Sequence, residues 1–229
     1  MLCGVGIERF TDVSILHCGR GVRQGIWQGF AYAAVVDCGT QGNHNGGMTL
    51  KLTTSYLEDS LEIFRHYKRM GERAMAQIAE DQLFASLDAD ANSMAIIVKH
   101  LAGNMRSRFT NFLTEDGEKP DRNRDSEFEG AATTRGELIG QWENGWAIVF
   151  AALEPLTDED MDRTVTIRGE AHSVMQAMNR QVAHYAYHVG QIVLLAKHAA
   201  GPRWESLSVP RGKSEEFNRR VSAGEASQR

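Results

Sequence analysis

From Met48 onward, apolar residues recur every three to four positions, and this period divides the chain into four helical segments. In the first, Leu57, Leu61, Phe64, Gly71, Met75 and Ile78 share one stripe. The second follows Asn92-Ser93, residue types that cap helix starts, and gathers Met94, Ile97, Val98, Leu101, Met105 and Phe112 on one side. The third opens at Thr133-Thr134. Glu137 stands at capping-box spacing from Thr134, and Leu138, Trp142, Trp146, Val149 and Leu153 follow before Pro155 stops the helix. The fourth runs from Ser173 to Ala200 and ends at the stop pair Gly201-Pro202.

Residues 114–129, Thr-Glu-Asp-Gly-Glu-Lys-Pro-Asp-Arg-Asn-Arg-Asp-Ser-Glu-Phe-Glu, are too polar for a core. A connection of this length can return the chain to the other end of a bundle, so the third helix need not run antiparallel to the second. Arg163–Arg168 alternates like a short strand, but one strand does not change the class. The pattern therefore predicts an all-α domain over residues 48–229, a bundle of four helices.

Residues 1–47 behave differently. They hold 10 of the 22 glycines and show neither helical nor strand periodicity, which predicts a loose segment. The abrupt change at Met48 predicts that translation starts there; a genuine flexible arm is the alternative.

Composition narrows the partners. Hydrophobic residues make up 42% and charged residues 24%, as in a folded globular chain. A net charge of -5 gives no basic footprint for nucleic acid. No apolar run approaches the roughly 20 residues that cross a bilayer, so a cytoplasmic protein is expected. The three cysteines, Cys3, Cys18 and Cys38, all precede Met48, so the main body has no thiol for a disulfide or for metal ligation.

The informative string is His184-Tyr-Ala-Tyr-His188. Positions i and i+4 lie about 40° apart around a helix, so both imidazoles point into one volume. Gln181 and Gln191 lie on the same stripe, while Tyr185, Val189 and Ile192 mark the apolar face beside it. In the second segment His100 stands likewise at the inner edge, with Asn104 near it and Ile97 and Leu101 on the apolar side. Packed together, the two helices could offer three neutral nitrogens to one divalent ion and leave a position for water or substrate. Ordinary core or surface histidines give the same spacing, so an apo bundle stands as the plain alternative. His172 faces away from His184, His198 lies too far along the helix, and His66 sits beside Lys68 and Arg69. Arg106, Arg108, Arg122 and Arg124 could gather at an anionic substrate, although a solvated surface is the default reading. There is no phosphate-binding loop and no GxSxG elbow.

The layout of one histidine on the second helix and HxxxH on the fourth resembles the DinB-like superfamily of metalloproteins. The likeness is carried by Val98-Lys-His-Leu-Ala-Gly-Asn104, Asp116-Gly-Glu-Lys-Pro120, Arg122-Asn-Arg-Asp-Ser-Glu-Phe128, His184–Ile192 and Trp204–Gly212, and spans about Leu50 to Asn218. Those strings look like a bacterial branch of unknown function. The resemblance implies a four-helix bundle with a long crossover between helices 2 and 3, often a homodimer. It also implies nickel, zinc or iron on His100, His184 and His188. Relatives of this type include enzymes that use a low-molecular-weight thiol, thiol-dependent isomerases and metal domains of sulfoxide synthases. The last group carries HxxxHxE, whereas Gly190 stands here at the final position, which disfavours it.

Two functions therefore compete. One is a metal-dependent enzyme acting on a small molecule, a thiol transferase, hydrolase or isomerase, with Asn104, Gln181 and Gln191 supporting the ligands or orienting substrate. The other is a non-catalytic metal-binding or stress-response bundle acting through assembly, favoured by the lack of a carboxylate beside the HxxxH pair. No catalytic residue is assigned from the sequence.

Overall fold

Serine and threonine side chains decide where the long helices begin. The Ser55 hydroxyl accepts the Glu58 N–H at 3.1 Å and opens α1, Tyr56–Met75. Ser93 does the same for Ile96 at 3.3 Å and opens α3, Met94–Phe109. Ser173 and Gln176 form a reciprocal capping box at the start of α5, Val174–Ala200. At α4, Arg135–Leu153, the cap departs from the expected box. Thr134 accepts the Glu137 N–H at 3.2 Å, but the Glu137 carboxylate reaches one residue further back, to the Thr133 N–H at 2.9 Å.

The computed structural model describes residues 7–10, 13–16, 55–130 and 132–227. The chain divides into a unit of residues 1–49 and a unit of residues 50–229. In the first, β1 (Ile7–Phe10) pairs antiparallel with β2 (Val13–Leu16), Ile7 opposite Leu16. The readings of residues 1–47 as a loose arm, and of Met48 as the start, otherwise lie outside the described residues.

The second unit is mostly helical. Besides the four long helices it has a short α2, Glu80–Phe84, and a C-terminal α6, Ser214–Ser222, neither of which the apolar pattern announces. α1 and α3 end earlier than their stripes suggest. Ile78 and Phe112 are still buried, but in the turns beyond the helices.

Side-chain partners fix the directions. Tyr56 donates to Asn179 and, at the other end, Gln77 donates to the Glu205 carbonyl, so α1 and α5 run parallel. Gly71 packs on Trp142 while Arg135 donates to the Met75 carbonyl and Arg65 pairs with Glu154, so α1 and α4 run antiparallel. Ser93 and Ile96 lie by Ala132 and Thr133, Met105 by Gly145, and Phe109 to Thr114 by Ile148 to Ala152. Thus α4 follows α3 in the same direction, which a short hairpin loop could not achieve.

Trp142, Trp146, Tyr185, Phe64, Leu101 and Met178 are among the largest fully buried side chains, and Phe64, Trp146 and Tyr185 meet at ring centroid distances of 5.5 to 6.2 Å. The fit depends on absent side chains: a Cβ on Gly71 would stand 2.6 Å from the Trp142 ring.

The predicted strand is real but has a partner the alternation did not announce. β3, Thr164–Ile167, pairs antiparallel with β4, Glu170–Ser173. Arg168 and Gly169 between them both take positive φ, 56° and 77°, the requirement of a two-residue type I′ turn. Asp116 holds that turn: Oδ1 accepts the Arg168 N–H at 2.8 Å and Oδ2 the Gly169 N–H at 2.8 Å. The hairpin thereby ties the segment after α3 to the start of α5, which sets α3 and α5 antiparallel. No described helix is long and apolar enough to cross a membrane.

Candidate metal centre

The antiparallel contact of α3 with α5 brings His100, His184 and His188 together. Their rings lie 5.3 Å apart for His100 and His184, 4.8 Å for His100 and His188, and 4.7 Å for His184 and His188. One ligand nitrogen from each falls within 4.8 Å of the others, and no other group of three His, Cys, Asp or Glu side chains suited to a metal occurs among the described residues. His66 packs edge-on against Tyr67, His172 lies on β4 bonded to the Glu170 carbonyl, and His198 is exposed.

The shortest nitrogen spacing in the cluster fits a shared cation, and the hydrogen bonds of His100 and His188 leave Nε2 as the ligand atom of each ring. His100 Nε2 and His184 Nε2 are 3.2 Å apart. Two nitrogens at 2.0–2.1 Å from one tetrahedral ion would stand about 3.3 Å apart. His100 Nδ1 donates to Glu127 Oε2 at 2.8 Å, and His188 Nδ1 donates to Gln191 Oε1 at 2.8 Å, which in the neutral form of either ring leaves the lone pair on Nε2. Burial first, and then the neighbouring His188 and His100, lowers the His184 pKa to about 3. Burial lowers His188 as well, against the Gln191 hydrogen bond. Both rings on α5 are therefore neutral and able to ligate near neutral pH.

Behind His100 stands a carboxylate that sequence reasoning missed. Glu127 is only 6% exposed, although it belongs to the stretch expected to be too polar for the interior. Burial would raise its pKa, but the hydrogen bonds from His100 and Arg122 outweigh it and hold the group ionised below the ordinary carboxylate value. Arg122 grips both oxygens, Nε to Oε1 at 2.8 Å and Nη2 to Oε2 at 3.0 Å. The chain of charge continues from Arg122 Nη1 to Glu118 at 3.4 Å and from Glu118 to Arg108 at 3.0 Å. The four arginines are thus split. Arg108 and Arg122 are buried in ion pairs, while Arg106 and Arg124 are exposed, the latter over the Phe128 ring that itself stacks on His100 at 4.8 Å.

Two local features let Glu127 enter. Gly103, one turn after Lys99, leaves room for it: a Cβ there would lie 2.4 Å from Oε1. Lys99 Nζ donates to the carbonyls of Ser126, Glu129 and Gly130 at 2.6 to 2.7 Å, clamping the 3-10 turn Asp125–Phe128 against α3. No local period could have announced this pairing; the only sequence signal was an Arg and a Glu five residues apart in a polar stretch.

The three amide side chains singled out earlier have distinct positions. Gln191 bridges His188 and the Tyr187 hydroxyl, accepting from the first and donating to the second at 3.2 Å. Asn104 Oδ1 accepts from the buried Tyr185 hydroxyl at 3.2 Å rather than from a histidine. Gln181 is 5% exposed, and its Oε1 has no partner among the described residues.

No curated protein and no solved structure matches the chain. A family model described as "Protein of unknown function (DUF1572)" matches residues 51–213, which is more than half of the chain and includes all three histidines and Glu127. The chain belongs to the DUF1572 family.

Proposed function

We propose that this chain is a divalent-metal-binding protein of the DinB-like kind, and that the ion serves an enzyme acting on a small molecule. The observation that carries the reading is the convergence of three imidazoles on one volume, one of them backed by a buried carboxylate. A carboxylate behind a ligating histidine fixes its tautomer and raises its basicity, an arrangement characteristic of metal sites. The parallel pairs α1/α5 and α3/α4 support a four-helix bundle in which the chain crosses over between α3 and α4.

A divalent ion on three neutral nitrogens supplies Lewis acidity, which lowers the pKa of a water or thiol at a remaining position. The protein's part is to hold the rings: Glu127 orients His100, and Gln191 orients His188. His184 and His188 are half-buried, so the cluster opens to solvent on the α5 side. Transfer of a low-molecular-weight thiol to an electrophile, or a related hydrolysis or isomerisation, fits this arrangement.

A second reading, a non-catalytic metal-binding bundle, is favoured by one observation. Glu127 is fully engaged by His100 and Arg122, leaving it no free role as a general base. Elemental analysis of tag-free protein, followed by turnover of a thiol-plus-electrophile panel with and without metal, separates the two. Absence of stoichiometric metal defeats both; metal without turnover selects the second.

A further inference from the structure

We infer that the cleft between α3 and α4 is a second small-molecule site, and that its ligand is a free amino acid held by both of its charged ends. The cleft measures about 390 Å³ and is walled by α3, by residues 121–127 and by α4. Small-molecule sites fall in the range of roughly 300–1,000 Å³, so an amino acid fits with room for its side chain. The cleft is separate from the histidine cluster, which lies between α3 and α5. Its base is bare because Ala102, Gly103 and Gly145 carry little or no side chain, and a Cβ on Gly145 would stand 3.2 Å from the Ala102 Cα.

The polar groups on the walls have unspent capacity. On α4, Gln141 makes no side-chain hydrogen bond among the described residues, and its Oε1 is buried. Buried polar atoms nearly always have a partner, so an orphan in a cleft wall calls for a group brought from outside. The Gln141 amide, tied by nothing, is free to turn its oxygen into the cleft. Asn144 stands one turn further along the same wall. Across from them, Arg106 and Asp121 approach to 3.7 Å, an ion pair too long for a hydrogen bond, so the guanidinium keeps its donors and the carboxylate its acceptors. A cation and an anion side by side, each next to an uncommitted carboxamide, match a zwitterion: its carboxylate on Arg106 and Asn144 Nδ2, its ammonium on Asp121 and Gln141 Oε1. A ligand of a single charge would leave one member of the Arg106–Asp121 pair unmatched. Arg122 and Glu127, in the same wall, are already bound to one another and take no part.

Metal-free, full-length protein tests this, so the outcome does not depend on the metal reading. The proteinogenic amino acids are titrated in pools and then singly while the side-chain amide resonances of Gln141 and Asn144 are followed by NMR. At least one amino acid should shift both saturably. Arg106→Ala should weaken that binding by about tenfold or more, the size of one charge-assisted contact. Acetate and methylamine, each carrying half of the zwitterion, should bind at least about tenfold more weakly than the amino acid. No saturable shift up to about 10 mM of any amino acid overturns the site. Binding unchanged in Arg106→Ala, or acetate binding as tightly as the amino acid, overturns the zwitterion reading. Arg106 is exposed, so its replacement leaves the core untouched; if Arg106→Ala nevertheless fails to fold, Asp121→Asn carries the same comparison.

Discussion

His100 Nδ1 and Glu127 Oε2 lie 2.8 Å apart although 27 residues separate them in the chain. The contact joins a helix to the connection that follows it. It leaves His100 Nε2 facing His184, so Glu127 acts on the cluster through His100 alone.

Replacing any one of His100, His184 or His188 by alanine should reduce bound metal from about one ion per chain to below about a tenth, measured by elemental analysis after dialysis. The wild-type protein should also lose thermal stability when a chelator is added, because the ion binds only the folded state. Full metal content in His184→Ala would remove the site as drawn.

Glu127→Gln should keep the fold but weaken metal affinity by about 10- to 100-fold, since the neutral amide no longer strengthens His100 as a donor. Glu127→Ala should be worse, because it also leaves Arg122, whose side chain is 3% exposed, buried against a lost partner. Breaking such a buried pair costs about 3–5 kcal/mol, readable as a shift in urea midpoint.

Gly103→Ala tests the same contact from the other side. The added methyl would fall 2.4 Å from Glu127 Oε1 and 2.8 Å from its Cδ, so the carboxylate has to leave or α3 has to shift. A destabilisation of about 1–3 kcal/mol is expected, together with loss of metal affinity. Gly136→Ala, where a Cβ meets nothing within 4 Å, is the matched control.

Acid should loosen the tie between the segment after α3 and the β3–β4 hairpin. Hydrogen bonds from the N–H groups of Glu118, Gly169 and Arg168 hold the Asp116 pKa below its usual value. For Glu118, burial pulls upward, but Arg108 and Arg168 outweigh it and the net shift is also downward. A depressed folded-state pKa stabilises the fold above the ordinary carboxylate range, and that contribution disappears as pH falls through the folded value. The urea midpoint should therefore fall between about pH 5 and pH 3, and less steeply in Asp116→Asn. An unchanged slope in that variant would show that Asp116 does not hold the turn.

The sequence revealed the helices that begin with a hydroxyl cap and carry a steady apolar stripe, because capping and amphipathicity are both local. It also placed His100, His184 and His188 on inner edges, since i,i+4 spacing is a geometric fact of any helix. It did not reveal Glu127 or Arg122. Their burial depends on Gly103 leaving a gap and on Lys99 binding three carbonyls, and neither leaves a trace in periodicity. β4 was missed because Glu170–Ser173 has no alternation of its own and is a strand only because β3 pairs with it.

Since one end of the Lys99-anchored segment between α3 and α4 delivers its carboxylate to a histidine of the cluster, binding of an ion there and the docking of that segment would share one free energy. If the proposed ion is bound, its removal should let the amides around Asp125–Phe128 exchange with solvent sooner than those of α3 beneath them. Conversely, peeling the segment away would weaken the binding of any ion at the three histidines.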